Sequence, residues 1–423
     1  MSSLVRVLRR VFAAAARRWG PYHRRLLVGA WLLVQAAFLV RFHGPHFAND
    51  SALYLEYAAN VAAHGYYQPS AAVPGATAQQ EGGSNNFEYE HSQRYILYPW
   101  FQSVWLRLHT GRWGIVLAQM ALSGLAASAL YGAVRRLAGG RRGAAALATG
   151  LLVVWPDVQQ FNAYLLTESL FISLSMLSFW ALVRLQGGAR TAGALLLALL
   201  LLTALARPNG FVVAGAAALA GLAALHAQRR AWFWAALASS VLAAPLLLRV
   251  LDHQLVTYFL VETYQRGELM YGSAAWALHP TAPLHLPLPG TGQLARVGYF
   301  AAHNPGFLAR LMAGKLFVFF SSLKPYYSLA HRLASVLLLW PLYALAVRGA
   351  RWQEIWAPAR VFLAAVPLLQ AAVVMLTVDD YDVRFLAPVL PFVFALAALG
   401  VWKSWKNVDN PVGKTPVAAA PGP

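Results

Sequence analysis

Five stretches of this chain carry side chains able to do chemistry. The first, Asn49-Asp50-Ser51, leads into Tyr54 and a run closing at His64-Gly65. A carboxylate there, with Tyr54 one turn behind it, could act as a general base. Asn49 or Asp50 could equally cap a short helix by accepting a backbone N–H. The second is Thr167-Glu168-Ser169, at the head of an apolar run. Glu168 is electrostatically favoured at a helix N-terminus with no function required, and it could also pair with Asp50. The third is Ala206-Arg207-Pro208-Asn209-Gly210, where Arg207 stands between two apolar runs. The fourth is Lys315, inside the apolar stretch 311–320, in a segment that also holds Arg296, Arg310, Lys324, Tyr326 and Tyr327. Cations in such places either snorkel to the headgroup region or hold a specific phosphate. The fifth, Asp379-Asp380-Tyr381-Asp382-Val383-Arg384, runs through Pro388 and Pro391 into the last apolar run, and Arg384 could be held by its own aspartates.

Other chemistries lose their usual anchors. His43, His46, His64, His91, His253, His279, His285 and His303 are scattered, without the spacing of a His-Glu-x-x-His metal motif. No Walker loop, dinucleotide-binding glycine fingerprint or Gly-x-Ser-x-Gly elbow occurs. With 0 cysteines, disulfides, thiolate catalysis and Cys-ligated zinc are excluded.

The elements that must position these groups are membrane spans. A spanning helix takes about 20 mostly apolar residues. Runs near 26–41, 114–134, 143–160, 166–185, 192–206, 211–226, 231–250, 329–347, 356–377 and 385–403 meet that description in an all-α polytopic bundle of about ten spans. Basic clusters favour the cytoplasmic side. Those at 6–25, Arg135 to Arg142, Arg184 and Arg190, Arg229 and Arg230, Arg348 and Arg351, and Lys403 and Lys406 then share one face, with both termini cytoplasmic. Counting 307–323 as a further span would put Arg348 and Arg351 outside and Asp379, Asp380 and Asp382 inside, so it reads as interfacial or re-entrant. Residues 1–25 form a basic cytoplasmic segment whose 4–18 stretch suits a surface helix; 26–406 form the membrane domain; 407–423 read as a disordered tail. Two outer segments, 42–113 and 251–328, are too long to be mere connectors.

Composition agrees. The chain has 423 residues, 59% hydrophobic and 12% charged, with a mean hydropathy of +0.50. Soluble domains carry about 25% charged residues, so an ordinary soluble enzyme is excluded. The net charge of +19 lies in clusters between apolar runs. It therefore reads as a topology signal with affinity for anionic lipid, not as a nucleic-acid footprint. Richness in Ala, Leu and Arg points to a GC-rich bacterial genome, hence an inner membrane with the polar groups on the periplasmic face.

The order of these pieces resembles the integral-membrane glycosyltransferases of the GT-C class, in the family of protein O-mannosyltransferases and lipid A aminoarabinose transferases. The likeness rests on Asn49-Asp50-Ser51 with Tyr54, Ala58 and Gly65; Arg94 with Tyr98-Pro99; Thr167-Glu168; Arg207-Pro208-Asn209-Gly210; and Asp382 to Pro391. Many members carry Asp-Glu after the first span where this chain has Asp50-Ser51, and some carry a large soluble C-terminal domain that has no counterpart here. The resemblance implies inverting transfer of a sugar from a polyprenyl-phosphate donor to an acceptor hydroxyl on a glycan, lipid or protein. Asp50 would be the base, and Glu168 would orient the acceptor, assist the base or bind a divalent metal. Arg207, Lys315 and Arg384 would hold the donor phosphate, with Tyr54, Arg94, Tyr98, Tyr381 and Asp382 around the substrates. The outer loops 66–97 and 265–300 would close over them. Two rivals share parts of this pattern: an outer-face glycan polymerase or ligase, and a lipid-linked sugar flippase. A flippase calls for ionisable groups near the bilayer midplane and repeated broken helices, and neither is visible in the sequence.

Overall fold

In the computed structural model of this chain, the described residues are 22–409, without 49, 66–94, 189, 256–258, 272, 274–275, 289 and 380–381. Arg94, Tyr381, the 4–18 stretch and nearly all of the expected C-terminal tail lie outside them. The described residues form an all-α, multi-pass membrane architecture. Seven helices are long and apolar enough to cross a membrane: His23–Arg41, Gly111–Leu137, Thr167–Leu185, Gly210–Gln228, Arg230–His253, Leu329–Ala350 and Ala357–Leu376. Three shorter apolar helices accompany them, Arg142–Val154, Thr191–Ala206 and Leu390–Lys403. The helix over 307–323 runs from Pro305 to Ser321 and is in neither group.

Several boundaries follow from local chemistry. The run expected over 143–160 stops at Val154, because Pro156 denies the helix a donor and restricts Trp155 to extended backbone at φ −81° and ψ 109°. A short turn, Pro156–Gln159, and a 3-10 turn, Gln160–Asn162, follow. The last helix starts at Leu390, later than the 385 expected, since Pro388 and Pro391 leave 383–389 as consecutive turns. Beyond the first span lie two amphipathic pieces, Ser51–His64 and Leu97–Arg107; only the first was expected. Gly65 closes the first in a left-handed conformation at φ 79°.

Thr167–Leu185 is the most enclosed of the seven spans. Its Phe179 stacks on Phe362 at 5.6 Å and meets Phe392 edge-on at 6.2 Å. Its Ser175 and Ser178 hydroxyls donate back to the carbonyls of Phe171 and Leu174, which pairs these two buried hydroxyls within the helix. By contrast Arg230–His253 buries none of its apolar window and presents Leu242, Leu246 and Leu247 outward, as a lipid-facing helix does.

The bundle has two unlike ends. At one, Arg141 lies over the Trp402 ring at 4.8 Å and Lys403 donates to the Arg351 carbonyl at 3.2 Å. This end gathers the basic clusters. At the other, the chain leaving the first span joins the turn before Thr167: the His46 N–H donates to the Ala163 carbonyl at 2.8 Å, and the Leu165 N–H to the His46 carbonyl at 2.9 Å. That join brings Asp50 towards Glu168.

Candidate functional site

The site is built on a buried polar platform. Gln35 donates to Gln159 at 2.8 Å. Asn162 donates to Gln35, Ser123 and Gln159 at 3.0–3.1 Å and accepts from Ser169 at 2.7 Å. Gln119 donates to the Asn162 and Tyr164 carbonyls and accepts from the Tyr98 hydroxyl at 2.7 Å. These bonds pin the irregular 155–166 stretch of short turns, which is tolerable at membrane depth because it is enclosed by protein. The next residues, Thr167 and Glu168, are thereby fixed.

Glu168 is completely buried. Its Oε1 accepts from Arg207 Nη1 at 2.6 Å and from Arg384 Nε. Arg384 turns its Nη2 to Asp50 Oδ2 at 2.7 Å. Four charged groups, far apart in sequence, thus form one chain: Asp50, Arg384, Glu168, Arg207. Two carboxylates meet two guanidinium groups, so the network is formally neutral, as burial demands. Access differs sharply along it. The side chain of Asp50 is 40% exposed and that of Arg384 17%, whereas Arg207 and Glu168 are at 4% and 0%. Asp50 makes no cap bond to the Ser51–His64 helix; its carboxylate faces Arg384, and the Ser51 hydroxyl accepts from the Ala48 N–H at 2.9 Å. Arg384 is held by Asp50 and Glu168, partners remote from its own aspartates. Arg207 also lies over the Phe385 ring, 5.6 Å from its centroid.

Tyr54 and Tyr98 pack beneath this network, edge to face at 5.5 Å, with Tyr95 against Tyr54 at 5.4 Å. Burial, reinforced by Tyr95 and Asp50, raises the Tyr54 phenol well above its ordinary pKa, so it stays neutral. Tyr98 is committed to Gln119.

Lys315 is not part of that network. Its ammonium donates to the Thr377 carbonyl and sits 4.8 Å from the Tyr264 ring centroid. Burial pushes its pKa down to about 7, opposed by Glu268. Close by in sequence, Lys324 pairs with Asp379, whose backbone meets that of Met270. Asp382 accepts from the Val383 N–H at 2.8 Å. Thr377, which holds Lys315, and Arg384 are seven positions apart in the chain, so their Cα atoms lie no more than about 25 Å from each other.

A further pair, Asp157 with His331, went unmarked in the sequence. Asp157 lies 3.8 Å from His331 Nε2, and Tyr327 stacks on that imidazole at 3.8 Å. Burial raises the Asp157 carboxyl, His331 pulls it down, and Asp382 adds a smaller upward push. The signal for this group and for the platform was Trp155-Pro156-Asp157, a helix stop followed by polar residues inside what reads as an apolar run. Among the described residues no three His, Asp or Glu side chains gather as a metal-binding group, and the carboxylates at the junction face guanidinium groups. Most of the 265–300 segment is described and holds the start of the helix Gln293–His303, while most of 66–97 is not.

The chain matches no family model, no curated protein and no solved structure.

Proposed function

We propose that this protein is an inverting glycosyltransferase of the membrane's outer face, taking a sugar from a polyprenyl-phosphate donor and placing it on an acceptor hydroxyl of a glycan, lipid or protein. The observation that carries the reading is the Asp50–Arg384–Glu168–Arg207 chain, in which a single accessible carboxylate is held against buried cations at the non-basic end of the bundle. Asp50 takes the proton from the acceptor hydroxyl as its oxygen attacks the anomeric carbon. The bond from that carbon to the phosphate oxygen breaks, and the electron pair leaves with the polyprenyl phosphate. A single displacement inverts the anomeric centre. Arg384, next to the base, faces the phosphate, while Arg207 and Lys315, both buried, add positive potential from behind the surface. Glu168 is sealed from substrate, so its part is to position the two guanidinium groups. Tyr54 and Tyr98 form the floor; Arg94, Tyr381 and Asp382 are assigned to the substrate rim on the family resemblance.

The topology fits this chemistry. Counted together as passes, the seven long helices and three shorter apolar ones would make ten, and the reading is a GT-C-like bundle with both termini on the basic, cytoplasmic side of a bacterial inner membrane. Nucleotide sugars are cytoplasmic, so an outward-facing site calls for a donor dissolved in the bilayer.

The test is transfer in proteoliposomes supplied with radiolabelled polyprenyl-phosphate sugars and membrane extract as acceptor. Asp50→Asn is expected to lower transfer by at least about 10²-fold while the protein inserts normally. Near-wild-type transfer by Asp50→Asn would remove the base from the mechanism. Failure to consume any polyprenyl-linked sugar would remove the enzyme.

A further inference from the structure

Two arginines at the network end of the bundle make no ion pair or hydrogen bond among the described residues: Arg41, which ends the helix His23–Arg41, and Arg112, at the start of Gly111–Leu137. By contrast Arg207 and Arg384 hold Glu168, Arg296 holds Glu262, and Arg107 donates to the Val61 and Ala62 carbonyls. Arg41 and Arg112 rest on aromatic rings instead, 5.8 Å from the Phe42 centroid and 4.4 Å from that of Phe47. Both are exposed. A turn brings their segments together: beyond Arg41 the Gly44 N–H donates to the Leu39 carbonyl at 2.9 Å, and a Cβ on Gly44 would stand 3.1 Å from the ring of Trp113, the neighbour of Arg112. The nearest carboxylate along the chain from Arg41 is Asp50, already bound to Arg384.

Towards the membrane from these arginines the surface is apolar and open. The helix His23–Arg41 buries only 11% of its apolar window. Its Leu33 and Val40, seven positions apart and so on one helical face, are 71% and 76% exposed. Trp113 and Leu117, four apart on the helix beside it, are exposed as well. Charge bias gathers arginines at the opposite, basic end of the spans. A pair here without counter-ions, set among aromatic rings at the membrane boundary, calls for an anion, and the strip of Leu33, Val40 and Leu117 calls for a hydrocarbon chain. A lipid of the surrounding bilayer meets both at once, whereas a soluble anion leaves the strip unused. We infer that Arg41 and Arg112 form a binding surface for anionic phospholipid in the leaflet at the network end, the phosphate at the level of the guanidinium groups and the acyl chains along the strip. The inference rests on these two helices crossing the membrane and not on the sugar chemistry proposed above.

With 0 cysteines, the full-length chain admits one fluorescent reporter at a time. Bimane on Leu108→Cys, an exposed position four residues before Arg112, is read in phosphatidylcholine nanodiscs. These are doped with phosphatidylglycerol or phosphatidylcholine that carries a nitroxide quencher near the head of one acyl chain. The phosphatidylglycerol probe is expected to reach half-maximal quenching at a lipid fraction at least about fivefold lower than the phosphatidylcholine probe, the attraction one arginine supplies. Arg41→Gln combined with Arg112→Gln should equalise the two probes, and molar salt should do the same in the parent protein. Bimane on Gln186→Cys, at the basic end, should read alike with and without the two glutamines, which makes the loss local and shows the variant folded. Equal quenching by the two probes in the parent protein would overturn the proposal, and so would a preference that survives the double substitution. A preference indifferent to salt would overturn it whatever the variant does. Loss of the preference to inorganic phosphate at fixed ionic strength would reassign the arginines to a soluble anion.

Discussion

Glu168 keeps its charge in the protein interior because two guanidinium groups share one of its oxygens. Removing that charge leaves Arg207 buried without its counter-ion, so Glu168→Gln should cost about 3–5 kcal/mol of stability. Asp50→Asn, at a half-exposed position, should cost less than about 1 kcal/mol. Thermal unfolding of the purified protein checks the pair: equal losses would mean that Glu168 is not the keystone. Lys315 brings a pH dependence whose sign follows from its depressed pKa. Burial places the group near 7, so the free protein carries the cation below that pH and loses it above. Donor KM should therefore rise as pH climbs past 7, approaching tenfold per unit, and Lys315→Arg should keep it flat to pH 9. A flat wild-type profile would remove Lys315 from phosphate binding. At this scale the sequence exposed the unusual residues, since charges beside apolar runs stand out. It was silent on their partners: Arg384 has three aspartates within five positions, yet it bonds to Asp50 and Glu168.

Among the elements, the closest packing is between the helices Trp340–Ala350 and Leu390–Asp409. A Cβ on Gly349 would lie 2.0 Å from the Leu396 carbonyl oxygen, and one on Gly400 would lie 2.1 Å from that of Leu345. The backbones touch there, as small residues allow in membrane bundles. Gly349→Val should force the helices apart and lower stability by about 1–3 kcal/mol or more. Gly143→Ala, whose Cβ would meet Trp402 at an ordinary 3.8 Å, should be neutral or mildly stabilising. Melting temperatures in detergent compare the two, and equal shifts would contradict the crossing. Long apolar runs such as Gly111–Leu137 and Ala357–Leu376 were readable, because length and hydropathy alone define a span. The helix Leu97–Arg107 was not: short, and amphipathic with Tyr98 and Gln102 buried, it owes its place to neighbours rather than to propensity.

For the whole molecule the central statement is polarity: basic clusters at one end, the carboxylate–guanidinium network at the other. A chain with 0 cysteines makes this directly testable. Thr291→Cys and Gln186→Cys are single exposed substitutions on the two proposed sides. A membrane-impermeant maleimide should label the first in intact spheroplasts and the second only after permeabilisation. The reverse pattern would invert the topology, and labelling of both in intact spheroplasts would put the two sites on one side. Charge bias and span counting alone lead to this expectation, since translocation responds to linear features: apolar length, and arginines beside it.

Local composition, then, was enough to establish a multi-pass helical membrane protein and to point at Asp50, Glu168, Arg207 and Arg384, because hydropathy and misplaced charge are written residue by residue. Their assembly into one neutral chain, the exclusion of Lys315 from it, and the difference in access between Asp50 and Glu168 were decided by tertiary structure. The join at His46, the platform around Asn162 and the pairing of Arg384 with Asp50 and Glu168 are contacts between segments tens to hundreds of positions apart, and linear spacing carries no record of which side chain will neutralise which.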